Sequence, residues 1–364
     1  MNILLFPFSM LLALLSLSGS ENGPESLDGT RPQPIVGAIR WDGWVGPLHS
    51  AGLEVEHTLG PHQYHQRAPF FSKEIGPDSI QCRGTTQAIM DQEIAYARYA
   101  GLDYWAFCWY PPKSGLDTAR NLYLASAHQK DIRWCVILGT NPFNYNTDAA
   151  WLIRKFKDDN YQKVLNGRPL VYVFPATATT GAELNQLRAL SKAAGVPDPY
   201  IVAMGFTEKS AGDIADSLHA DAISSYASVS RYDTGEPYKG ASYSPTVPKS
   251  DQAGWMKYAA SGKKVVPWMT AGWSPKPRIE RSTLWNAYYT TESWAGDGTP
   301  EQVAESLQNA LDWTKNNARA AEANAILIYA WNEFDEGGWL CPTLGDHTSR
   351  IHAVRTILKK NAHD

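Results

Sequence analysis

The feature that most constrains the fold is a strict alternation between short apolar runs, rich in β-branched and aromatic residues, and longer amphipathic stretches. The short runs predict buried strands and the longer ones predict helices. Alternation of eight such pairs is typical of a single-domain (β/α)8, or TIM, barrel. The predicted strands are Ile35–Trp41, Tyr104–Tyr110, Trp134–Gly139, Leu170–Phe174, Tyr200–Gly205, Ala222–Ala227, Val265–Thr270 and Ala325–Ala330. The predicted helices are Ala88–Ala100, Asn121–Gln129, Asp148–Val164, Gly181–Ala194, Ala211–Leu218, Gln252–Ala260, Pro300–Asn316 and Arg350–Lys360.

The competing arrangement is an open, doubly wound sheet. That fold usually carries a Gly-rich phosphate-binding turn after its first strand. The residues after Trp41 contain no such turn, which favours the barrel. The chain has 364 residues, a length that α/β barrels commonly reach as one domain.

Charge and composition narrow the class of partner. The net charge is -4 and the sequence has no basic cluster, which argues against nucleic acid or an anionic membrane surface. Fourteen Trp and eighteen Tyr residues are more than a core needs, and many lie beside Gly, Pro or polar residues. Exposed aromatic faces suit sugar rings, which present apolar C–H patches edged by hydroxyls. The alternative is an aromatic-rich core, which we expect to account for part of the count.

The N-terminus has the pattern of a secretory signal. Residues 3–17 are apolar, and the small residues Ser18-Gly19-Ser20 follow. We therefore expect a signal peptide over residues 1–20, a flexible leader over 21–34, the barrel over 35–364, and a secreted or periplasmic protein without a membrane span after signal removal. A lipid-facing anchor is the less favoured alternative, since the segment is short for a span. Export permits disulfides among Cys82, Cys108, Cys135 and Cys341, but buried free thiols are an equal alternative.

The eighth predicted strand leads into an acidic, aromatic and Gly-rich segment, Trp331-Asn332-Glu333-Phe334-Asp335-Glu336-Gly337-Gly338-Trp339. Because catalytic groups of such barrels lie at the carboxyl ends of the strands, Glu333 and Glu336 are the first candidates for catalysis. Asp335 is a rival for either role, as are Asp42 and Glu208. The alternative is that these are solvated loop carboxylates.

The residues that follow the other strands form a set suited to sugar. Carboxylates and amides can bind hydroxyls, while aromatic rings stack beneath them. Phe206 and Thr207 belong to this group by position. The predicted substrate contacts at the strand ends are Trp41, Asp42, Trp44, Trp109, Tyr110, Asn141, Glu208, Tyr226, Trp273 and Asn332.

The first long loop contains His57, His62 and His65. Three histidines invite a metal hypothesis, but their spacing does not match the helical pair of a zinc protease, and the segment from His57 to Pro69 contains no acidic partner. A role in binding hydroxyls or ordering the loop is favoured. We expect no metal and no cofactor.

Two carboxylates in one cavity can act as an acid and a base when their surroundings separate their pKa values. Glycoside hydrolysis requires that division of roles. In an extended strand Glu333 and Glu336 would point to opposite faces, so both reach one cavity only if the chain turns after Asn332. Gly337 and Gly338 make such a turn plausible.

The segment from Trp331 to Gly337 resembles the aromatic-Asn-Glu-aromatic-x-Glu-Gly motif of glycoside hydrolase family 99, the endo-α-mannosidases, and of related barrels from polysaccharide-biosynthesis clusters. The loop His62-Gln63-Tyr64-His65-Gln66-Arg67-Ala68-Pro69 is similar to the Gly-His-Tyr-Gln-Pro-Arg-x-Pro loop of those relatives, and Gly101–Tyr110 to their aromatic second strand. We accordingly expect His62, Tyr64 and Arg67 to contact substrate.

The resemblance implies that Glu333 acts as a base on the 2-hydroxyl of the sugar, giving an anhydro-sugar intermediate and net retention. It implies that Glu336 is the acid/base at the glycosidic oxygen. The chain departs from the family pattern at three places: Phe334 stands where Trp is usual, Asp335 adds a third carboxylate, and Gly338-Trp339 replaces a small or hydroxyl residue.

The sequence therefore predicts an exported glycoside hydrolase that acts internally on a polysaccharide or oligosaccharide, with Glu333 and Glu336 as its catalytic pair. One alternative is a barrel that binds glycan without cleaving it. Another is an assembly factor or transferase of polysaccharide synthesis. Sugar identity, linkage and oligomeric state have no readable signature.

Overall fold

A computed structural model describes residues 32–174, 179–282, 284 and 289–361. The predicted signal peptide over residues 1–20 and all but the last three residues of the predicted leader lie outside these ranges. Gln33–Asp364 forms one compact unit. In the described part of the chain, no helix has the length and apolar character needed to cross a membrane.

The described residues contain eight parallel strands that follow one another around a closed sheet. Each strand pairs with the next, and the eighth pairs with the first. The seventh is split at Val266-Pro267; its first part pairs with the sixth strand and its second part with the eighth, which closes the ring. The (β/α)8 prediction is therefore confirmed. The strands are β1 Ile35–Arg40, β2 Tyr104–Cys108, β3 Arg133–Leu138, β4 Arg168–Val173, β5 Tyr200–Met204, β6 Ala222–Ser224, β7 Lys264–Val265 with Trp268–Thr270, and β8 Ala325–Tyr329.

A helix follows each strand. Several begin at a threonine whose hydroxyl accepts a backbone N–H of the first turn, as at Thr86, Thr180 and Thr299. Pro300, directly after Thr299, occupies the first helical position, where its missing N–H costs nothing. The helices are α1 Gln87–Ala100, α2 Thr118–Ala125, α3 Asp148–Phe156, α4 Gly181–Ala193, α5 Glu208–Leu218, α6 Tyr243–Ala260, α7 Pro300–Asn316 and α8 Ser349–Asn361.

The prediction of one helix from Asp148 to Val164 is wrong in its second half. The helix ends at Phe156, and Lys163–Val164 pairs antiparallel with the start of β4. The poor helix formers Asp158, Asp159 and Asn160 follow. Residues 165–167 then turn the chain with positive φ angles, a conformation that the Asn-Gly pair at 166–167 favours.

Shorter elements surround the barrel. The long loop between β1 and α1 holds a 3-10 turn at Gly46–Leu48, helices Ser50–Thr58 and His62–His65, and a hairpin of Lys73–Gly76 with Ser79–Gln81. Further 3-10 turns are Gly115–Asp117, Gln129–Asp131 and Phe334–Glu336, and a short helix spans Lys276–Glu280.

Aromatic side chains fill much of the interior. The Tyr104 and Tyr172 hydroxyls meet inside the barrel, 2.8 Å apart. Gly37 provides the space for one of these rings, since a Cβ there would lie 2.2 Å from the Tyr104 Cζ. The largest fully buried side chains include Trp105, Trp134, Trp255 and Trp268. Part of the aromatic excess is therefore core packing.

Candidate active site

The chain turns sharply after β8, which brings Glu333 and Glu336 to the same region. Asn332–Glu333 pairs antiparallel with Gly338–Trp339, and the 3-10 turn Phe334–Glu336 joins the two segments. Gly337 ends the turn with φ +85°. A Cβ at this position would lie 2.7 Å from the Ser274 backbone nitrogen, so glycine is required by both conformation and space.

All three carboxylates of this turn are buried. Glu333 is 4% exposed, Asp335 0% and Glu336 6%, so the alternative of solvated loop carboxylates is wrong. Buried carboxylates need paired charges or hydrogen bonds. The Arg278 side chain, itself 4% exposed and carried by the helix Lys276–Glu280, contacts all three.

Asp335 forms the most regular of these pairs. Arg278 donates from Nε to Asp335 Oδ2 at 2.7 Å and from Nη2 to Oδ1 at 2.8 Å. This two-point geometry is the strongest form of an Arg–carboxylate contact. The Thr58 hydroxyl donates to Oδ2 at 3.0 Å. Asp335 is thus committed to protein contacts and does not face substrate as a third equivalent carboxylate.

Glu336 accepts hydrogen bonds from three donors. The Tyr329 hydroxyl donates to Oε2, while the Tyr289 hydroxyl and Arg278 Nη1 donate to Oε1. The Glu336 carbonyl oxygen also accepts from the Ser274 amide at 2.6 Å, which fixes the turn against the segment after β7.

Glu333 has weaker partners. The Tyr226 hydroxyl donates to its Oε1 at 3.1 Å, and Arg278 Nη2 lies 3.5 Å from its Oε2. Burial raises the pKa of Glu333 well above its usual value, and the neighbouring Glu336 carboxylate adds to the increase, while Arg278 opposes it. The two glutamates therefore differ in their surroundings, as an acid and base pair requires.

Beneath the glutamates lies a network that fixes Asn332. Its amide nitrogen donates to Asp42 Oδ1 at 3.1 Å, and its amide oxygen accepts from the Trp41 backbone at 2.9 Å. Arg40 donates to Asp42 at 2.9 Å and forms a two-point pair with Glu93. Burial raises the pKa of Asp42 to about 6, although the Arg40 guanidinium lowers it. Asp42 therefore supports Asn332 from below.

Aromatic residues predicted from the strand ends surround the carboxylates. The Trp41 ring lies 5.5 Å from the Arg278 guanidinium, and its indole N–H donates to the Tyr110 hydroxyl at 2.6 Å. Trp44 packs edge-on against Phe334, with centroids 4.8 Å apart. Trp273 packs against Tyr329 at 5.8 Å. Together with Tyr226, the predicted residues Trp41, Trp44, Tyr110 and Trp273 are thus brought to one site.

Three other predicted residues lie farther from this cluster. Trp109 is fully buried between Phe143, 4.9 Å away, and the Arg120 guanidinium, 4.2 Å away, so it supports the rim from below. Asn141 follows β3, and Glu208 is the first residue of α5. Within the described residues, no hydrogen bond joins Asn141 or Glu208 to the three carboxylates.

The first loop is fastened to the rim by Arg67. Its guanidinium binds Asp297 at 2.7 Å and the Ser274 carbonyl at 2.9 Å, and lies 5.6 Å from the buried Tyr64 ring. His62 is exposed. The buried His65 ring contacts the Gly60 carbonyl at 2.7 Å, so this histidine orders the loop, as the sequence favoured.

A groove of about 520 Å3 opens beside the site, past β2, β3 and β4. It starts at Pro111, next to Tyr110, and combines aromatic and polar side chains. The polar side chains of Asn144, Asn146 and Gln186 are exposed there and suit the hydroxyls of a glycan chain, whereas the Phe143 and Tyr145 rings are buried. Its lining consists of Pro111, Pro142, Phe143, Asn144, Tyr145, Asn146, Asp148, Glu183 and Gln186.

Sequence reasoning missed Arg278, Tyr289 and Tyr329. Arg278 comes five residues after Trp273 in the same strand-end segment, so the rule that selected Trp273 could have extended to it. Tyr329 is the last residue of β8 and was counted only as strand interior. Tyr289 lies in a long connection without a local signal.

The described residues contain no group of three or more His, Cys, Asp or Glu side chains placed to hold a metal ion. The four cysteines are buried free thiols.

Comparison with known proteins shows the family to which the chain belongs. Two structures of the family 99 endo-α-mannosidase from Bacteroides thetaiotaomicron, one in complex with bis-tris-propane, share the fold with a TM-score of 0.56 and 14% identity. Each comparison covers 92% of this chain and 99% of that chain. No curated protein matches. The model of the family described as Glycosyltransferase WbsX matches residues 141–354, more than half of the sequence and including the β8 motif. The resemblance inferred from the motifs is confirmed, and the chain belongs to the WbsX family of barrels related to glycoside hydrolase family 99.

Proposed function

We propose that the protein is a glycoside hydrolase that cleaves a polysaccharide or oligosaccharide internally, with retention of configuration. The observation that carries the proposal is the pair of buried glutamates after β8, which share Arg278 but differ in their other donors at the mouth of a barrel. Glu336 is the acid/base at the glycosidic oxygen, and Glu333 is the base on the 2-hydroxyl.

The chemistry proceeds in two balanced steps. In the first, Glu333 takes the proton of the 2-hydroxyl as that oxygen bonds to C1, the bond from C1 to the glycosidic oxygen breaks, and the departing oxygen takes the proton of Glu336. In the second, Glu336 takes a proton from water as the water oxygen bonds to C1. The bond from C1 to the 2-oxygen then breaks, and that oxygen recovers its proton from Glu333. The enzyme regains its starting state.

The surroundings of Glu333 support its role as base. A sugar hydroxyl is a weak acid, so the carboxylate that deprotonates it benefits from a high proton affinity. Burial and the nearby Glu336 give Glu333 that affinity, since its pKa is raised well above the usual value. Because Glu333 must be ionised to act, activity is expected to rise with pH as this group loses its proton.

The rim supports internal cleavage. The aromatic residues at the strand ends and the adjoining groove offer contacts to more sugar units than the one that reacts. We also propose that the protein is exported, because the apolar segment at residues 3–17 is followed by small residues, as in a secretory signal.

The family description favours a second candidate, transfer of a glycosyl group. The same two-step chemistry gives transfer when an acceptor hydroxyl replaces water in the second step. A transferase that uses a nucleotide sugar would instead bind the nucleotide, and a thermal shift with nucleotide sugars tests this. A shift by oligosaccharide alone, without turnover, would favour a glycan-binding barrel.

The decisive experiment measures release of reducing ends from a panel of α-mannans and other polysaccharides. Wild type is compared with Glu336→Gln, Glu333→Gln and the control Glu305→Gln on the exposed face of α7. We expect one substrate to be cut, a rate at least ~100-fold lower for either active-site variant, and no change in the control. Cleavage that survives both active-site substitutions would refute the assignment, and binding without cleavage would favour the glycan-binding barrel.

A further inference from the structure

The extra carboxylate of the β8 turn, Asp335, holds one edge of the Arg278 guanidinium. A guanidinium presents N–H groups in a rigid plane, and a carboxylate can occupy one edge of that plane. Asp335 takes the edge formed by Nε and Nη2, at 2.7 and 2.8 Å. Asp335 is 0% exposed, and Thr58 donates to it from a separate helix, so the carboxylate is fixed from two sides.

The rest of the guanidinium faces both proposed catalytic glutamates. Nη1 donates to Glu336 Oε1, and Nη2 lies 3.5 Å from Glu333 Oε2. Nη1 also donates to the Tyr289 hydroxyl at 2.9 Å, which itself donates to Glu336. A single fixed positive charge is therefore in contact with each member of the pair.

The proposed reaction moves one negative charge between those two members. In the form that reacts, Glu333 is ionised and Glu336 carries the proton; after the first step Glu333 carries the proton and Glu336 the charge. The second step returns both to their starting state. A fixed charge that contacts both carboxylates stabilises either distribution without rearrangement, which is how preorganised groups lower reaction barriers.

We propose that Asp335 and Arg278 form a positioning unit that holds one guanidinium between Glu333 and Glu336, so that carboxylate charge can move from one to the other during glycoside cleavage. The proposal rests on the proposed function. It also accounts for the departure at Asp335, because the third carboxylate balances the guanidinium and orients it.

The other titratable groups near the pair are tyrosine hydroxyls, one thiol and the carboxyl of Asp42. Tyr226, Cys108 and Tyr110 face Glu333, and burial raises the pKa of each. Tyr289 and Tyr329 face Glu336, and burial raises their pKa values well above the usual range. Asp42 lies beneath, paired with Arg40. Arg278 is thus the positive charge in contact with both glutamates among the described residues.

A purely structural role for the pair is the alternative. Asp335 and Arg278 join the β8 turn to the helix Lys276–Glu280 and, through Thr58, to the first loop. In that case their replacement would lower stability and the amount of active enzyme, but the ionisation of Glu333 and Glu336 would not change in the protein that remains folded.

The test compares Arg278→Lys, which keeps the charge but cannot span three carboxylates, and Asp335→Asn with wild type. Arg281→Lys is the matched control, since Arg281 is three residues away and pairs with the exposed Asp78. We expect Arg278→Lys to lower kcat by about 100-fold, similar to loss of one preorganised donor. We also expect the acid limb of the kcat/KM profile to move to higher pH, because Glu333 loses a close guanidinium. Asp335→Asn should also lower kcat, because the guanidinium loses the carboxylate that orients it, and Arg281→Lys should change neither measurement.

Direct titration separates this inference from the proposed function. In protein labelled with 13C at the glutamate carboxyls, signals assigned with Glu333→Gln and Glu336→Gln report each ionisation whether or not a substrate is known. We expect Arg278→Lys to shift the Glu333 titration to higher pH. Unchanged titrations and an unchanged acid limb would overturn the inference, even if Glu336→Gln abolishes cleavage. Shifted titrations in a protein that cleaves no glycan would support the charge-sharing unit and refute the hydrolase.

Discussion

At the scale of single residues, the site is defined by an imbalance of charge. Three buried carboxylates share the contacts of one guanidinium. If all three were ionised, the cluster would carry an excess of negative charge in a poorly solvated place, which is costly. The proton affinity of Glu333 relieves that excess, since its pKa is raised by burial and by Glu336. The burial of charge that supports the proposed role of Glu333 as a base therefore also makes the folded site less stable.

Replacing Glu333 by Gln should therefore stabilise the protein at neutral and alkaline pH. The folded-state pKa is raised, so the folded state holds a proton that the unfolded state has already lost. The free energy of unfolding then falls as pH rises from the usual glutamate pKa to the raised one. Gln mimics the protonated form and removes this loss. We expect the free energy of unfolding to increase by about 0.5–2 kcal/mol at pH 8, the usual range for a single stabilising substitution.

Thermal unfolding of Glu333→Gln and wild type at pH 4 and pH 8 measures this effect. The gain should be present at pH 8 and largely absent at pH 4, where wild-type Glu333 is already protonated. Glu305→Gln, on the exposed face of α7, should show no such difference. An equal gain at both pH values would contradict the electrostatic explanation.

At the scale of elements, the turn after β8 places Glu333 and Glu336 in the same region. The antiparallel pairing of Asn332 with Trp339 folds the chain back, and Gly337 allows the 3-10 turn to close against Ser274. The turn is also held by the Ser274 amide, which donates to the Glu336 carbonyl. The segments after β7 and β8 therefore position the two glutamates jointly.

Gly337→Ala should damage this turn more than an ordinary glycine replacement would. Its φ of +85° costs an alanine roughly 1–2 kcal/mol, and the added Cβ would also lie 2.7 Å from the Ser274 nitrogen. Gly167→Ala is the control, because Gly167 has φ +87° and no atom within 4 Å of its added Cβ. Chemical denaturation should show a loss of roughly 1–2 kcal/mol for the control and a larger loss for Gly337→Ala, with reduced activity. Equal losses of stability for the two variants would contradict the prediction, because they would show that the backbone near Ser274 shifts to accommodate the added Cβ.

At the scale of the whole molecule, the barrel brings distant segments to one rim. The carboxyl ends of all eight strands meet there, so Trp41, Tyr226, Arg278 and Glu336 become neighbours although they are far apart in sequence. The groove past β2, β3 and β4 extends this rim. Under the proposed function, a long glycan would contact this groove beyond the unit that is cleaved.

The groove predicts a dependence on substrate length. Gln186 lines it from an exposed position on α4, while Asn185 is exposed but not part of the lining. Gln186→Ala removes a hydrogen-bonding group, which is worth about 1 kcal/mol or roughly a fivefold change in binding. We expect KM to rise by that amount for long oligosaccharides and to stay unchanged for short ones. The Asn185→Ala control should match wild type for both, and a change independent of length would argue against the groove.

The sequence by itself determined the barrel, because alternating hydrophobic patterns are written locally in each segment. It also made Glu333 and Glu336 the first candidates for catalysis, since their position after an apolar strand depends only on chain order. The expectation that the chain turns after Asn332 is confirmed, and the glycines that permit the turn were readable. The end of α3 at Phe156 could have been predicted from the poor helix formers Asp158, Asp159 and Asn160, but the helical pattern before them concealed the signal.

Only the tertiary structure decided which charges meet. Asp335 and Arg278 are 57 residues apart and carry no local sign of pairing, because the contact depends on the meeting of two loops at the rim. Trp41 and Trp109 both follow a strand, but Trp41 contacts Arg278 whereas Trp109 packs beneath the rim. Only three-dimensional packing determines which of the two side chains reaches the site. Local sequence patterns specify elements, whereas the electrostatics of a buried site depend on long-range contacts.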